Sequence, residues 1–296
     1  MFNKYRKEQY HLYNKARKHF IKNPNQIIEL EKYISQIIWD FINNNIEVII
    51  EDYNEASKLY PFWQEYPPDD RGRKPKGDQY PWIEVGEHTI CPKLSRYLSN
   101  RFRIKDSGIP TGPDERYVIS SKDISKITKG YTNSVWVFVD VKSVGPRDDQ
   151  EHTVMSHNQI SGDGTWKKIN AGVRNKVINA KGKRASHDFY CAIPPIYILS
   201  DQTILPVIQI VIKPVYKMLD MEEDGTDKGQ PLHKIVLITI PNGLLLFHKP
   251  GYLKKYPGLF FPGKDDKQKN LKKRRARVSF NILTNIDSWR VQKMEI

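Results

Sequence analysis

The chain contains only two cysteines among its 296 residues, Cys91 and Cys191, and they do not form a C-x-x-C pair. Two cysteines this far apart argue against a disulfide framework and against a structural zinc site built on thiolates. No G-K-[ST] phosphate-binding loop is present, so the sequence gives no indication of a nucleotide site. For the two cysteines we expect reduced, mostly buried thiols.

Long apolar runs are also missing. No stretch approaches the roughly 20 apolar residues that a bilayer-spanning helix needs, and the N-terminal sequence M-F-N-K-Y-R-K lacks the apolar core of a signal peptide. We expect a cytoplasmic protein with no membrane partner.

Acidic side chains are scarce relative to basic ones. The chain has 34 Asp and Glu against 48 Lys and Arg, a formal net charge of +14. Such an excess most plainly suits a polyanionic partner, although an anionic membrane surface would also fit. The chain shows no internal repeat and no clear linker, so we expect residues 1–296 to form a single domain.

The N-terminal part, residues 1–60, is predicted to be helical. Apolar residues recur at helical spacing from Asn25 to Tyr60, which predicts two or three helices. The aromatic and basic segment before them could form a helix that contacts DNA or a partner subunit, but packing against the core is the favoured interpretation. Residues 60–82 are rich in Pro, Gly and charge, which fits a phosphate-facing arm and a solvated loop equally well.

The rest of the chain is rich in predicted strands. A helix is expected from Trp82 to Arg103, interrupted near Pro92, and residues 148–187 are expected to be an irregular excursion or a small hairpin. Strands are predicted at Arg116–Ile119, Ser134–Lys142, Phe189–Leu199, Ile204–Tyr216, Ile235–Pro241 and Ala276–Leu283. This order predicts an α/β fold with a mixed sheet flanked by helices, including a core at 81–148 and a strand-rich part at 189–296.

The stretch from Ser134 to Asp148 organises these predictions. Side chains alternate along a strand, so Val135, Val137, Val139 and Val141 share one face, and Trp136, Phe138, Asp140 and Lys142 share the other. An acid and an amine on a largely buried strand cost desolvation energy unless charged groups meet them.

The pair Pro113-Asp114, followed by Asp140-Val141-Lys142, has the form P-D, a gap, then D-x-K. Two carboxylates that converge from adjacent strands would offer the oxygen ligands that Mg²⁺ prefers, and a lysine beside them could contact a scissile phosphate. The same pattern also fits an ordinary salt bridge at a strand end, as in a non-catalytic DNA-binding regulator. The residues alone leave both interpretations open.

A second constellation lies near the C-terminus, within the segment 262–278. Lys264 and Asp266 lie at a predicted turn, and Arg275 and Arg277 share one face of the predicted strand that follows. Basic side chains can donate to guanine and acidic side chains can accept from cytosine, so the mixture suggests recognition of G·C pairs. Asp148, just beyond Gly145-Pro146, could join them. A solvated basic face and a turn-stabilising acid are the alternatives.

Six segments of the chain resemble one known family. They are D-Y-N-E-A at 52–56, P-K-G-D-Q at 75–79, P-W-I-E-V-G-E at 81–87, P-T-G-P-D-E-R-Y at 110–117, F-V-D-V-K-S-V-G-P-R-D at 138–148 and P-G-K-D-D at 262–266. In these segments the chain is similar to the BglI family of type II restriction endonucleases. The resemblance implies the PD-(D/E)xK nuclease fold and a Mg²⁺-dependent homodimer. It also implies cleavage of both DNA strands at an interrupted palindrome, GCCNNNNNGGC or a close relative, with 5′-phosphate and 3′-hydroxyl ends and 3′ overhangs.

The same resemblance implies residue roles and a partner in the host. Asp114, Asp140 and Lys142 correspond to the catalytic positions, and Glu87 to a further possible metal-site acid. The residues implied to contact bases are Asp148, Lys264, Asp266, Arg275 and Arg277. A cognate DNA methyltransferase is implied in the host, but not as a stable complex. The chain departs from the family pattern in the basic run Lys272-Lys273-Arg274 and over residues 149–190.

Overall fold

The computed structural model describes residues 2–58, 85–106, 112–145, 149–182, 185–216, 231–263 and 270–296. Two long helices begin the chain, α1 (Phe2–Lys22) and α2 (Pro24–Lys58). The helical character predicted from the spacing is confirmed, but the two or three helices expected from Asn25 onward are wrong, because α2 runs on without a break to Lys58. None of the helices within these ranges is long and apolar enough to cross a bilayer. The predicted loop at 60–82 lies outside the described residues, and the single-domain expectation stays a prediction.

Helix α1 packs against the core rather than standing free. Its apolar side chains Tyr13, Ala16 and Phe20 are buried at helical spacing. Its polar side chains bind the segment 163–170: Tyr13 donates to the Gly164 carbonyl at 2.9 Å, and Arg17 binds Asp163 at 2.6 Å. The favoured interpretation of this segment is therefore confirmed, while contact with DNA stays untested.

The next helix in the described ranges, α3 (Val85–Arg101), precedes an antiparallel pair formed by β1 (Arg103–Asp106) and β2 (Glu115–Ser120). The prediction that this helix breaks near Pro92 is wrong, because α3 continues through the proline. Pro92 and the residue four positions earlier, His88, are both exposed, so the missing hydrogen bond lies on the solvent side of the helix.

The central sheet contains the predicted strand β3 (Ser134–Val141), which follows the short helix α4 (Lys122–Ile127). Its other long strands are β10 (Ile204–Tyr216), β11 (Leu232–Ile240) and β14 (Val291–Glu295), and the strand order is β1-β2-β3-β10-β11-β14. Only the β3–β10 pair is parallel among these neighbours. The sheet is mixed, as the sequence predicts.

Helices cover both faces of this sheet. The four valines of β3 pack in one cluster with α2 and α3, through residues such as Ile34, Ile38 and Leu94. On the opposite face β10 and β11 pack against α1, α5 (Gly243–Phe247), α6 (Tyr252–Lys255) and α7 (Phe280–Ile286). The predicted division of β3 into two faces is confirmed.

Residues 149–182 are more regular than predicted. They contain the strands β4 (His152–Met155), β5 (Gly164–Thr165), β6 (Arg174–Asn175) and β7 (Val177–Lys181), and a 3₁₀ turn at His157–Gln159. The expected hairpin is formed by β7 and β8 (Ser186–Tyr190). The single strand predicted over Phe189–Leu199 is wrong: Pro194 and Pro195 separate β8 from β9 (Ile196–Ile198).

A small second sheet has the order β12-β13-β4, with β12 (Phe260–Pro262) and β13 (Ala276–Ser279). The strand predicted over Ala276–Leu283 is wrong in its second half, because α7 begins after Ser279. The Ser279 hydroxyl accepts from the Ile282 amide at 3.4 Å, a capping contact that starts the helix and that apolar spacing alone does not reveal.

Candidate active site

The two predicted acids meet where β2 begins and β3 ends. These strands are antiparallel neighbours with Glu115 opposite Val139, so Asp114 stands across from the last residues of β3. The Val141 amide donates a 2.6 Å hydrogen bond to Asp114 Oδ2. The convergence of Asp114 and Asp140 from adjacent strands, which the sequence predicts, is present in the fold.

Asp140 is a buried carboxylate, only 2% exposed, on the same face of β3 as Trp136 and Phe138. Its Oδ1 accepts from Gln159 Nε2 at 2.6 Å. Lys142 Nζ lies 2.7 Å from Oδ2 and forms an ion pair with it. Burial raises the pKa of Asp140, and the Asp114 charge adds to this, while Lys142 and Gln159 oppose it.

Asp114 keeps an exposed surface, unlike Asp140. Partial desolvation nevertheless raises the pKa of its carboxyl group, and the Val141 amide and the charges of Lys142 and Arg116 act against that rise. One acid is therefore open to solvent and the other is enclosed. An incoming group can reach Asp114 directly, whereas Asp140 is fixed by its protein partners.

Glu87 lies in the first turn of α3, on the helix that covers the valine face of β3. Burial raises the pKa of the Cys91 thiol on the same helix, and four carboxylates add to the rise: Glu115, Asp114, Glu87 and Asp140. Glu87 and both predicted acids therefore act on the same thiol. Even so, no group of three or more His, Cys, Asp and Glu side chains in the described ranges is placed to hold a metal ion.

The donor set suits a hard divalent cation that keeps part of its shell as water. Two carboxylates approach the same end of the sheet, and Asp140 Oδ2 accepts no hydrogen bond from the described residues. Such an ion needs only one or two protein carboxylates when water and phosphate oxygens complete the shell. Asp114 and Asp140 fit this requirement without a third acid.

The small sheet holds the described part of the second constellation. Arg277 lies in β13 opposite Phe261 of β12 and Val154 of β4, with Nε 3.6 Å from Asp149 Oδ2. Arg275 is exposed just before β13 begins. The other residues predicted to contact bases, Asp148, Lys264 and Asp266, lie outside the described residues.

A family model described as "Restriction endonuclease BglI" matches residues 8–294. The chain belongs to the BglI family of restriction endonucleases. The type II restriction enzyme BglI of Bacillus subtilis is 46% identical over 290 residues, which is 97% of this chain and 96% of that relative. By this membership the chain is a type II site-specific deoxyribonuclease, so the enzyme class expected from the sequence is confirmed.

Solved structures agree on the fold. The crystal structure of the restriction endonuclease BglI bound to its DNA recognition sequence matches with a TM-score of 0.91 and 45% identity, covering 100% of this chain and 99% of that one. Tetrameric SfiI bound to cognate DNA matches with a TM-score of 0.59 at 13% identity, covering 91% and 84%. At that identity the SfiI likeness concerns the fold alone.

Three residues around this BglI-family site were missed by the sequence reasoning. They are Gln159, Gln209 and Lys213. Gln209 and Lys213 lie on one face of the otherwise apolar strand β10, each 2% exposed. Two polar side chains four positions apart within an apolar strand were a visible signal, since buried polar groups require partners. Gln159, in a short polar turn, gave no such signal.

Lys213 fixes the described segment that follows β3 in the chain, beginning at Asp149. Its ammonium donates to the carbonyl oxygens of Asp149 and His152, the latter at 2.6 Å, and lies 5.4 Å from the centre of the Phe280 ring. Asp149 lies just before β4 and His152 is the first residue of β4, the strand that pairs with β13. A buried cation therefore links the central sheet to the small sheet that carries Arg277.

Proposed function

We propose that this enzyme is a Mg²⁺-dependent homodimer that cuts both strands of DNA at an interrupted G·C-rich palindrome. The proposed site is GCCNNNNNGGC or a close relative, cut to leave 5′-phosphate and 3′-hydroxyl ends with 3′ overhangs. The observation that carries the proposal is the meeting of Asp114, Asp140 and Lys142 at one strand end. The DNA-bound BglI structure, similar over the whole chain, supports DNA as the substrate.

In the proposed mechanism each polar side chain has a separate task. Asp114 and Asp140 would hold Mg²⁺ through carboxylate oxygens, with Glu87 as a further acid nearby. The bound ion would supply charge neutralisation at the phosphate and acidify a coordinated water. Lys142 Nζ, now paired with Asp140 Oδ2, would donate to an oxygen of the scissile phosphate. Its positive charge would stabilise the negative charge that accumulates in the in-line transition state.

Sequence selection is proposed to come from the small sheet. Arg275 and Arg277 would donate to guanine, and Asp148, Lys264 and Asp266 would complete the set of base contacts. The pairing of β13 with β12 and β4, which holds Arg277 within the small sheet, supports this proposal. A palindrome presents the same half-site twice, so a two-fold symmetric dimer would place one such sheet on each half-site. A cognate methyltransferase in the host would protect the same sites without forming a stable complex.

The competing function is a non-catalytic DNA-binding regulator, in which Asp140 and Lys142 form only a salt bridge. A plasmid that carries one GCCNNNNNGGC site separates the two functions. Incubation with protein and Mg²⁺ should give one discrete linear product, and sequencing of its ends should give the cut position. A shifted but intact plasmid would favour the regulator.

Asp140→Ala is expected to abolish cleavage. Losing several kcal/mol of metal-assisted stabilisation corresponds to a rate decrease of about a thousandfold or more. Binding of the cognate duplex in Ca²⁺ should remain. Glu29→Ala, which removes an exposed acid on α2 and changes the net charge equally, is the control and should cut normally. An Asp140→Ala protein that still cuts at the wild-type rate would remove Asp140 from the proposed metal site.

A further inference from the structure

The turn that follows β4 returns to the catalytic strand. Residues His157–Gln159 form a 3₁₀ turn, and the last of them places its side-chain amide against Asp140. The partly buried 2.6 Å hydrogen bond from Gln159 Nε2 to Asp140 Oδ1 joins positions 19 residues apart. It occupies the oxygen of Asp140 that Lys142 does not contact.

The orientation of the Gln159 amide follows from its other contact. The Ser156 backbone amide donates to Gln159 Oε1 at 2.8 Å, and a backbone N–H can only donate. The atom on this side must therefore be the oxygen, which leaves Nε2 facing Asp140. The turn thus determines which end of the side chain meets the carboxylate.

Gln209 holds this turn on the central sheet. Its Nε2 donates to the Gln159 carbonyl at 2.6 Å, and its Oε1 accepts from the Ser161 amide at 2.8 Å. Gln209 lies on β10 beside Phe138 of β3. The buried Gln209 amide and the partly buried Gln159 amide therefore connect β10 to the turn and the turn to Asp140. Because the turn continues from β4, the same chain of contacts reaches the sheet that carries Arg277.

We propose that Gln159 is a positioning residue that holds the Asp140 carboxylate in its metal-binding orientation. The inference rests on the proposed Mg²⁺ site. Without the Gln159 donor, Asp140 Oδ1 would lose its hydrogen bond in a buried environment, and the carboxylate could rotate toward Lys142. Preorganisation of a ligand by an outer hydrogen bond commonly changes metal affinity or activity by about 10- to 100-fold.

Two variants separate positioning from support of the turn. Gln159→Glu can still accept from the Ser156 amide but cannot donate to Asp140 when ionised. Gln159→Met keeps the length of the side chain and removes both contacts. Asn158→Met, at the preceding position of the same turn, is the matched control. Thermal unfolding and far-UV circular dichroism of each metal-free protein show whether the fold is retained.

The first measurement is the single-turnover cleavage rate constant at saturating DNA and Mg²⁺. We expect at least a tenfold decrease for both Gln159 variants and a change within twofold for Asn158→Met. A wild-type rate constant for Gln159→Glu would overturn the proposal, because it would leave only the support of the turn. Wild-type protein that fails to cut would instead overturn the proposed function.

The second measurement does not depend on cleavage. Calorimetric titration of Ca²⁺ into the protein–DNA complex should show at least a tenfold weaker affinity for Gln159→Met than for wild type and for Asn158→Met. Unchanged Ca²⁺ affinity in folded Gln159→Met would contradict a positioning role. If Gln159→Met does not fold, the cleavage rate of folded Gln159→Glu decides the question.

Discussion

Asp140 is held in place by partners of three kinds. It lies on β3, whose backbone is fixed by the sheet. Gln159 donates a hydrogen bond to its Oδ1, and the Lys142 ammonium forms an ion pair with its Oδ2. A buried carboxylate without such partners costs several kcal/mol, which is the reason that single charged residues rarely occur inside apolar strands. In the proposed function a bound Mg²⁺ would compensate the negative charge of Asp140, as Lys142 does now.

Arg277→Ala is expected to weaken DNA binding unequally across sequences. Loss of a bidentate contact to guanine should cost about 1 to 3 kcal/mol at one base pair and little at the others. The measurement is the Kd in Ca²⁺ for duplexes in which each base pair of the half-site is changed in turn.

Lys273→Ala, which removes the same charge from an exposed neighbouring position, serves as the control for Arg277. It should weaken all duplexes about equally, as the loss of a phosphate contact does. An equal loss for Arg277→Ala would make Arg277 a phosphate contact as well.

At the scale of elements, the first turn of α3 packs closely against the end of β3. A Cβ atom on Gly86 would lie 2.2 Å from Ser143 Oγ, 2.8 Å from the Tyr53 hydroxyl and 3.1 Å from Val141 Cγ1. Tyr53 and Ser143 are themselves joined by a buried 3.1 Å hydrogen bond. A glycine at this position lets the first turn of α3 approach β3.

Gly86→Ala is expected to lower both stability and cleavage. The added methyl group would push α3 away from β3 or break the Tyr53–Ser143 hydrogen bond, at a cost of about 1 to 3 kcal/mol. Urea unfolding and the single-turnover cleavage rate would measure the two effects. His88→Ala, at an exposed position of the same helix, should leave both values near wild type. A Gly86→Ala protein as stable as wild type would mean that the contact adapts without strain.

At the scale of the whole molecule, a buried ion pair joins the two ends of the chain. Arg290 Nη2 lies 2.8 Å from Glu31 Oε2, and both side chains are fully buried. Glu31 Oε1 also accepts from the backbone amide of Asn242 at 2.6 Å. The Arg290 guanidinium lies 4.3 Å from the centre of the Trp289 ring. Helix α2, the loop after β11 and the segment before β14 are thereby held together.

Arg290→Met should destabilise the protein by about 3 to 5 kcal/mol, because it leaves Glu31 buried without its partner. The double variant Glu31→Gln/Arg290→Met should cost less than Arg290→Met alone, since no buried charge remains. Urea unfolding of the single and double variants measures both values. A double variant less stable than Arg290→Met would show that the pair contributes through packing instead.

The Arg290→Met deficit should also depend on pH. Burial raises the pKa of Glu31 even with Arg290 present, and loss of the arginine removes the main opposing charge. Folded Glu31 then keeps its proton above the unfolded value of about 4.3, so stability falls as pH rises from there through the raised folded pKa. Unfolding measured at pH 5 and pH 8 should show the larger deficit at pH 8.

The sequence by itself determined the local features of this protein. Alternation along Ser134–Val141 gave the two faces of β3, and helical spacing gave α2, because each pattern depends only on neighbouring residues. The P-D and D-x-K pattern predicted that Asp114, Asp140 and Lys142 lie close together, since adjacent strands bring their ends together. Cap chemistry was harder to detect, and the strand predicted beyond Ser279 is a helix for that reason.

Only the tertiary structure decided which distant groups meet. Gln159 donates to Asp140, and Lys213 donates to the carbonyl of His152. Arg290 binds Glu31, which lies 259 positions away in the sequence. No periodicity encodes these contacts, because they depend on how β10, the turn after β4 and the C-terminal segment pack together. The sequence determined which side chains we propose to carry the chemistry of this enzyme. The fold decided which groups hold those side chains, since a buried polar atom takes its partner from whatever packing brings within reach.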